Sequence, residues 1–137
     1  RVRSSAASDV YKRQASDVYK RQGQENAEST GTRQLSGVGG QMDFLEGAYR
    51  SKGGKGFICI NSSRVTKDGE RKSNILATIP GGSTISAPRT MIQYVATEYG
   101  IASLSGKTLR ERAEAMASIA HPDFREELMK YAQENFK

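Results

Sequence analysis

The spacing of apolar residues predicts a helix followed by a strand in the middle of the chain. Apolar side chains recur at helical spacing between residues 41 and 50, namely Met42, Phe44, Leu45, Ala48 and Tyr49. This period predicts a short amphipathic helix with Gln41 and Asp43 in its first turn, where the helix dipole favours an acid. Lysine and glycine at 52–56 break it, and the apolar run at 57–60 is typical of a strand buried on both faces. Cys59 lies in that run, so we expect a buried thiol.

The next segment mixes short apolar stretches with turn signals, which predicts several strands. Lys67-Asp68-Gly69 is typical of a hairpin turn and lies between the strand-like segments 64–66 and 73–79. A proline and two glycines stop the second of these, and 84–86 is expected to add a brief edge strand. Residues 91–97 predict a further strand, after which we expect only helices.

Two helices are predicted at the C-terminal end. Thr108 and Glu111 have the capping-box spacing, in which each side chain accepts a hydrogen bond from the other residue's N–H. The apolar stripe of this helix comprises Leu109, Ala113, Met116, Ala117 and Ala120, and its exposed face Arg110, Glu111, Arg112 and Glu114. His121 and Pro122 end it, and the proline suits the first position of the second helix.

The N-terminal segment is an exact repeat and carries most of the net charge of +6. Residues 7–14 and 15–22 are identical, and residues 1–22 hold six Lys and Arg against two Asp, whereas the remaining residues hold 15 against 13. The repeated DVYKRQ resembles a translated sequencing adapter, so we interpret 1–22 as non-biological and disordered, and residues 23–137 as the protein. The natural protein would then extend further in the N-terminal direction. A basic arm for nucleic acid is the alternative.

Composition excludes several classes of function. The 137 residues suffice for one domain with a real core, and 24–34 are polar without a period and would be flexible in isolation. No apolar run approaches the roughly 18 residues of a membrane-spanning helix, so we expect a soluble, cytoplasmic protein that contacts no membrane. Cys59 and His121 are the only cysteine and histidine in the chain, which leaves no ligand set for a metal and no catalytic triad.

Residues 36–44 (SGVGGQMDF) form a glycine-rich loop that runs directly into the first predicted helix. Backbone N–H groups in such a loop form a concave nest, to which the positive end of the helix adds. The pattern indicates a site for phosphate or for a carbonyl oxygen that gains negative charge, with a plain tight turn as the alternative. Glu98, at a predicted strand end, is a further candidate, because strand ends in α/β sheets commonly face a ligand crevice.

Several separated motifs, in order along the chain, resemble the C-terminal domain of the acetyl-CoA hydrolase/transferase family. Within it the resemblance is to 4-hydroxybutyrate and butyryl-CoA:acetate CoA-transferases. The motifs are GTRQLSGVGGQMDF at 31–44, SKGGK at 51–55, VATEYGIA at 95–102, LRERA at 109–113 and IAHPDFR at 119–125. The resemblance implies an α/β fold with an open sheet of CoA-transferase type, of which this chain is a C-terminal fragment with two C-terminal helices.

The resemblance also implies a mechanism and a set of site residues. A glutamate carboxylate of the family attacks the acyl-CoA thioester, and a glutamyl-CoA thioester follows. No glutamate of this chain stands in that motif, so no catalytic residue is assigned and the fragment is expected to be inactive. The residues expected to contact CoA are Ser36, Gly37, Val38, Gly39, Gly40 and Lys67, and those expected to line the active site are Gln41, Asp43 and Glu98.

The expected partners follow from the same resemblance. They are an acyl-CoA and a short carboxylate such as acetate, the missing N-terminal domain of the same protein, and further copies in a homo-oligomer, with coenzyme A as substrate and no bound cofactor, metal or nucleic acid. Two alternatives stay open. The complete protein could be a thioester hydrolase that uses water in place of acetate, or the chain could be a basic nucleic-acid-binding module.

Overall fold

The computed structural model describes residues 18–20, 23–37 and 39–136, which form short strands and three helices. The strands are β1 (Val18–Lys20), β2 (Gln24–Asn26), β3 (Ser29–Thr30), β4 (Arg33–Gln34), β5 (Phe57–Cys59), β6 (Ser63–Val65), β7 (Arg71–Ser73), β8 (Ile75–Leu76), β9 (Tyr94–Thr97) and β10 (Gly100–Ser103). The helices are α1 (Gln41–Arg50), α2 (Leu109–Ser118) and α3 (Pro122–Asn135). The prediction of an α/β fold with open sheets and two C-terminal helices is confirmed.

The sheet in the core consists of β10, β9 and β5, in that order. Strand β9 pairs in parallel with β5 and antiparallel with β10, so that Ile58, Val95 and Ala102 stand side by side. All three are buried and belong to one apolar cluster with Met116 and Ala117 of α2. Because each fully buried aliphatic side chain contributes about 2 kcal/mol, this cluster holds the sheet against the helices.

Side chains along β5 alternate between buried and exposed. Ile58 and Ile60 are buried, whereas Phe57 and Cys59 are exposed. The predictions of two-sided burial and of a buried thiol at Cys59 are therefore wrong. The physical reason is that the described residues cover this sheet on one face only.

Strand β10 was not predicted. The strand predicted for 91–97 begins at Tyr94, and the chain reverses at Glu98 and Tyr99 to return as β10. Leu104 N–H donates to Gln93 O at 2.8 Å and closes the pair. Ile101 and Ala102 are the only apolar residues of β10, which is too few for a recognisable period.

The predicted hairpin around Lys67-Asp68-Gly69 is confirmed as β6 and β7. The second predicted strand divides at Asn74, whose Nδ2 donates to Asn61 O at 2.9 Å and whose N–H donates to Ser62 O at 2.8 Å. These two bonds turn the chain into β8. Strand β8 pairs in parallel with β1, which pairs antiparallel with β2.

Residues 84–87 lie along β2 without forming the predicted edge strand. Glu25 N–H donates to Ala87 O at 3.1 Å, and Ser86 N–H donates to Glu25 O at 2.8 Å. Ala27 N–H donates to Ser86 Oγ at 2.9 Å. A single bridge between Glu25 and Ala87 together with these bonds fastens β2 to a distant part of the sequence.

Both C-terminal helices begin as predicted. Thr108 Oγ1 accepts from Glu111 N–H at 3.3 Å, and Glu111 Oε2 accepts from Thr108 N–H at 2.8 Å, which completes the capping box of α2. His121 Nδ1 accepts from Asp123 N–H at 3.3 Å, and Pro122 is the first residue of α3. The two helices pack against each other, and α2 also packs on β10.

Arg112 lies on the buried side of α2, so its predicted place on the exposed face is wrong. Its side chain is 6% exposed; Nη2 donates to Arg89 O at 2.8 Å, and Nη1 donates to Leu104 O. Burial lowers the pKa of the Arg112 guanidinium, and the charge of Arg89 lowers it further. Leu109, predicted in the apolar stripe, is exposed.

The repeat at 1–22 lies mostly outside the described residues. Its described part, Val18–Lys20, forms β1 between β2 and β8. The disorder predicted for the segment as a whole stays a prediction. The adapter origin of the repeat and the boundary at residue 23 stay predictions.

Candidate functional site

The glycine loop reaches the start of α1 with its backbone exposed. Ser36, Gly37, Gly39 and Gly40 are all exposed, and Val38 lies outside the described residues. Gly39 has φ of +63°, a conformation that L side chains rarely adopt. Gly40 is the N-cap residue, and in the part of the chain that the structure describes it gives the first turn of α1 no side-chain capping bond. The first N–H groups of a helix have no acceptor within it, which makes those of α1 candidate donors to a ligand.

The loop is fastened at its N-terminal side to the segment that follows β2. Leu35 N–H and Ser36 N–H both donate to Glu28 O, at 2.7 and 3.2 Å. Gln34 Nε2 donates to Glu28 Oε2 at 3.2 Å and to Ser36 O at 2.6 Å. These bonds fix where Ser36 lies, although its own side chain is exposed.

A buried asparagine organises the turn that carries this anchor. Asn26 Oδ1 accepts from Glu28 N–H at 3.2 Å, from Ser29 N–H at 3.0 Å and from Ser29 Oγ at 3.2 Å. Asn26 Nδ2 donates to Ser29 O at 2.7 Å. One side chain thus satisfies a whole turn of buried polar backbone, as buried polar groups require. The sequence indicated a flexible stretch here, and only an Asn-x-x-Ser turn pattern could have shown otherwise.

Gln41 points inward from the first turn of α1 towards β2. Its Nε2 lies 2.7 Å from both carboxylate oxygens of Glu25, which is fully buried. Asp43, in the same turn, is exposed. The structure therefore brings Ser36, Gln41 and the glycines together on the segment from Glu25 to Glu28. Nothing in the sequence indicated that Glu25 would be buried.

Glu98 lies at a second place, the turn between β9 and β10. Its Oε1 accepts from Ser62 Oγ, and its Oε2 accepts from Ser62 N–H at 3.0 Å. Burial acts to raise the pKa of Glu98, but the bonds from the hydroxyl and N–H of Ser62 outweigh it, with smaller help from His121. The pKa of Glu98 is therefore below its ordinary value, and the side chain is a carboxylate at neutral pH.

Lys67 lies at the exposed tip of the β6 and β7 hairpin. Thr66 N–H donates to Glu70 O at 2.8 Å, and Gly69 N–H donates to Thr66 O at 3.0 Å, which shapes the turn. The hairpin follows Ser62, so Lys67 belongs to the same part of the chain as the Glu98 bond. Within the described ranges, no hydrogen bond or ion pair joins Lys67 or Glu98 to the glycine loop.

Two structural observations limit other kinds of site. Among residues 18–20, 23–37 and 39–136, no group of three His, Cys, Asp or Glu side chains is placed to hold a metal ion. In the same part of the chain no helix has the length and apolar character needed to cross a membrane.

Comparison with known proteins assigns the fold and the loop to a family. The model of the acetyl-CoA hydrolase/transferase C-terminal domain matches residues 19–132. The chain belongs to this family. The resemblance of the motifs between residues 31 and 125 is thereby confirmed.

Three proteins illustrate the relation. The chain is 48% identical over 110 residues to a butyryl-CoA:acetate CoA-transferase of Anaerostipes caccae and 48% identical over 110 residues to a 4-hydroxybutyrate coenzyme A transferase of Clostridium kluyveri. Each match covers 80% of this chain and 25% of the relative. The crystal structure of RipA from Yersinia pestis superposes with a TM-score of 0.73 at 38% identity, over 85% of this chain and 26% of that one. The chain thus spans about a quarter of the length of these relatives.

Proposed function

We propose that this acetyl-CoA hydrolase/transferase domain is the CoA-contacting, C-terminal part of a CoA-transferase. The complete enzyme would move CoA between an acyl-CoA and a short carboxylate such as acetate. The observation that carries the proposal is the exposed glycine loop that opens onto the uncapped first turn of α1. Relatives named butyryl-CoA:acetate and 4-hydroxybutyrate CoA-transferases support the choice of reaction.

The loop has the electrostatic properties that CoA binding needs. The N-terminus of a helix carries the equivalent of about half a positive charge, and its free N–H groups point along the axis towards an incoming anion. The phosphates of CoA, or a thioester oxygen that gains negative charge during attack, are the groups such donors stabilise. Because Gly39 and Gly40 have no side chains, a ligand could approach their backbone closely.

The residues in and around the loop would have different roles in binding CoA and shaping the active site. Ser36, Gly37, Val38, Gly39 and Gly40 would approach CoA, and Gln41 would set the start of α1 through its bond to Glu25. Asp43 and Glu98 would line the active site, and Lys67 would reach a phosphate from its hairpin.

The covalent chemistry would belong to a glutamate outside this chain. Its carboxylate attacks the thioester carbonyl, the CoA thiolate leaves, and an acyl-glutamyl anhydride remains. The thiolate then attacks the glutamyl carbonyl, which releases the first carboxylate and leaves a glutamyl-CoA thioester for the second carboxylate to open in the same way. We therefore expect the 137-residue chain to show no CoA transfer from butyryl-CoA to acetate. Turnover by the chain alone would contradict the placement of the nucleophile.

A paired glycine substitution tests the CoA-contacting loop. Addition of CoA to the labelled 137-residue chain should shift the amide resonances of residues 36–41 in a proton–nitrogen NMR titration. Gly39→Val should weaken this binding about tenfold, because valine strains a backbone at positive φ. Gly106→Val is the matched control, since Gly106 also has positive φ and has open space around it. Equal weakening by both variants, or shifts confined to other regions, would remove the loop from the binding site.

The hydrolase alternative shares the loop and differs in the acceptor. The family description names hydrolases beside transferases, so water in place of acetate is a defined competitor. A complete enzyme that contains this domain should form acetyl-CoA from butyryl-CoA when acetate is supplied. Release of free CoA alone, at a rate independent of acetate, would favour the hydrolase.

A further inference from the structure

We infer that the uncovered face of the sheet formed by β5, β9 and β10 is the docking surface for the region that the relatives carry ahead of this domain. We call this surface the outer face. Its residues are Phe57, Cys59, Tyr94, Ala96, Ile101 and Ser103. The inference rests on the proposed function only in that the domain works as part of a longer enzyme.

Strand register defines the outer face. Phe57 stands beside Tyr94, and the two rings stack with centroids 4.8 Å apart, which places them on the same side of the sheet. Cys59 stands beside Ala96, which stands beside Ile101. Because side chains alternate along a strand, these residues point away from the buried Ile58, Val95 and Ala102.

The outer face is largely apolar: Phe57, Cys59 and Ile101 are exposed, and Tyr94, Ala96 and Ser103 are half-buried. Phe57 is 48% exposed and Ile101 is 63% exposed, and none of its residues is charged. Depletion of charge and enrichment of aromatic residues are the marks of the buried centre of an interface. A contiguous apolar patch of this kind is not typical of a surface that stays in water.

The parallel pairing of β5 with β9 gives an independent reason for a second layer. Sheets made wholly of parallel strands occur almost only where both faces are covered, and the β5–β9 pair has that arrangement within a mixed sheet. Here α2 and the apolar cluster cover one face, and the described residues leave the other open. Strand β5 is also at the edge of its sheet, with its outer side available for pairing.

The length of the relatives identifies the occupant. The matched family model is a C-terminal domain, and the chain spans about a quarter of each relative. Some three-quarters of such an enzyme therefore lies outside the match, mostly ahead of it. That region has to meet this domain if both shape one active site, and the outer face is an apolar, uncharged surface available to it.

The single cysteine provides a direct test. In the isolated 137-residue chain, the exposed Cys59 should react readily with N-ethylmaleimide. In a chimera in which residues 19–132 replace the matched segment of the Anaerostipes caccae transferase, Cys59 should react about tenfold more slowly, since a covered thiol reacts only when the layer above it opens. The modified peptide is quantified by mass spectrometry, so other cysteines do not interfere.

A charge substitution tests the same face without a thiol. Ile101→Glu should leave the thermal midpoint of the isolated chain unchanged and lower that of the chimera by roughly 5 °C, because a carboxylate would be buried there. Val65→Glu is the matched control: Val65 is 58% exposed and lies in the separate two-stranded sheet of β6 and β7. It should shift neither midpoint.

Three results would overturn the inference. One is a Cys59 that reacts equally fast in the chain and in the chimera. Another is an Ile101→Glu chimera as stable as the control. The third is protection of Cys59 in the isolated chain that rises with concentration together with a dimer mass in light scattering, which would make a second copy the occupant. A protected Cys59 in a chimera without CoA transfer would support the docking surface and count against the proposed function alone.

Discussion

The segment at 23–37 and the sheet of β5, β9 and β10 reverse the ordinary relation between polarity and burial. In the first, Glu25, Asn26 and Glu28 are polar and buried. In the second, Phe57 and Ile101 are apolar and exposed. The first region is held by hydrogen bonds to other described residues, although the buried Gln24 Oε1 and Glu28 Oε1 find no partner among them. The second region has one face that no described residue covers. The comparison therefore distinguishes contacts that stabilise this domain from a surface that is free to bind another part of the enzyme.

The largest effect should come from the inner side of β5. Ile58→Ala should lower the free energy of unfolding by about 3 kcal/mol, because it removes a buried side chain and leaves a cavity. Cys59→Ala, at the next position, should change it by less than about 0.5 kcal/mol, as exposed substitutions usually do. Urea denaturation followed by circular dichroism measures both. Similar losses at the two positions would mean that β5 is covered on both faces.

The buried polar network should come next. Asn26→Ala should cost about 2 kcal/mol, because two N–H groups and a hydroxyl lose their acceptor inside the protein. Asn135→Ala is the control, since Asn135 is exposed and makes one bond to Tyr131 O. If both variants were equally stable in urea, the hydrogen bonds of Asn26 would not stabilise the polar segment, and the burial of that segment would have another cause.

A substitution of Arg112 tests whether a buried polar side chain outside residues 23–37 also stabilises the fold. Arg112→Met should cost about 1 to 2 kcal/mol, because the carbonyls of Leu104 and Arg89 lose their donor. Arg110→Met should cost less than about 0.5 kcal/mol, since its ion pair with Glu114 is at the surface. Thermal unfolding of the two variants, measured side by side, gives this difference in stability. No difference between them would indicate that solvent reaches both carbonyls.

The smallest effect is a pH dependence at the end of the sheet. The folded pKa of Glu98 is lower than its ordinary value of 4.5, so its ionisation stabilises the fold above pH 4.5, and this contribution is lost as the pH falls through the folded pKa. Ser62→Ala removes the hydroxyl donor, so the variant should be less stable than the wild type by under about 1 kcal/mol above pH 4.5, and the gap should narrow below it. If urea titrations from pH 3 to 7 gave the same stability difference between wild type and Ser62→Ala at every pH, the ionisation of Glu98 would not be its cause.

Local rules predicted the parts of the fold that local bonds build. The capping box of Thr108 and Glu111, the N1 proline of α3 and the hairpin turn at 67–69 each depend on a few adjacent residues, and all three are confirmed. Helix α1 followed from its apolar period in the same way.

Long-range contacts explain what the sequence did not predict. The burial of Glu25 depends on Gln41, sixteen positions away, and that of Arg112 depends on carbonyls of two separate loops. Strand β10 exists because β9 offers it an edge. For the candidate site, the sequence predicted the exposed loop and its place before a helix, but not the anchor beneath it, since a polar stretch without a period carries no sign of its partners.

The bonds between β2 and residues 84–87 have a consequence for the order of folding. They close loops of 62 positions from Glu25 to Ala87, 59 from Ala27 to Ser86 and 55 from Ser29 to Thr84. Contacts between residues so far apart form late in folding, because closing the loop costs chain entropy before the contacts add any stability. During synthesis, the base of the glycine loop can therefore assemble only after Ala87 has left the ribosome, well after the loop itself. The candidate ligand-binding loop is therefore synthesised before the residues whose contacts hold its base.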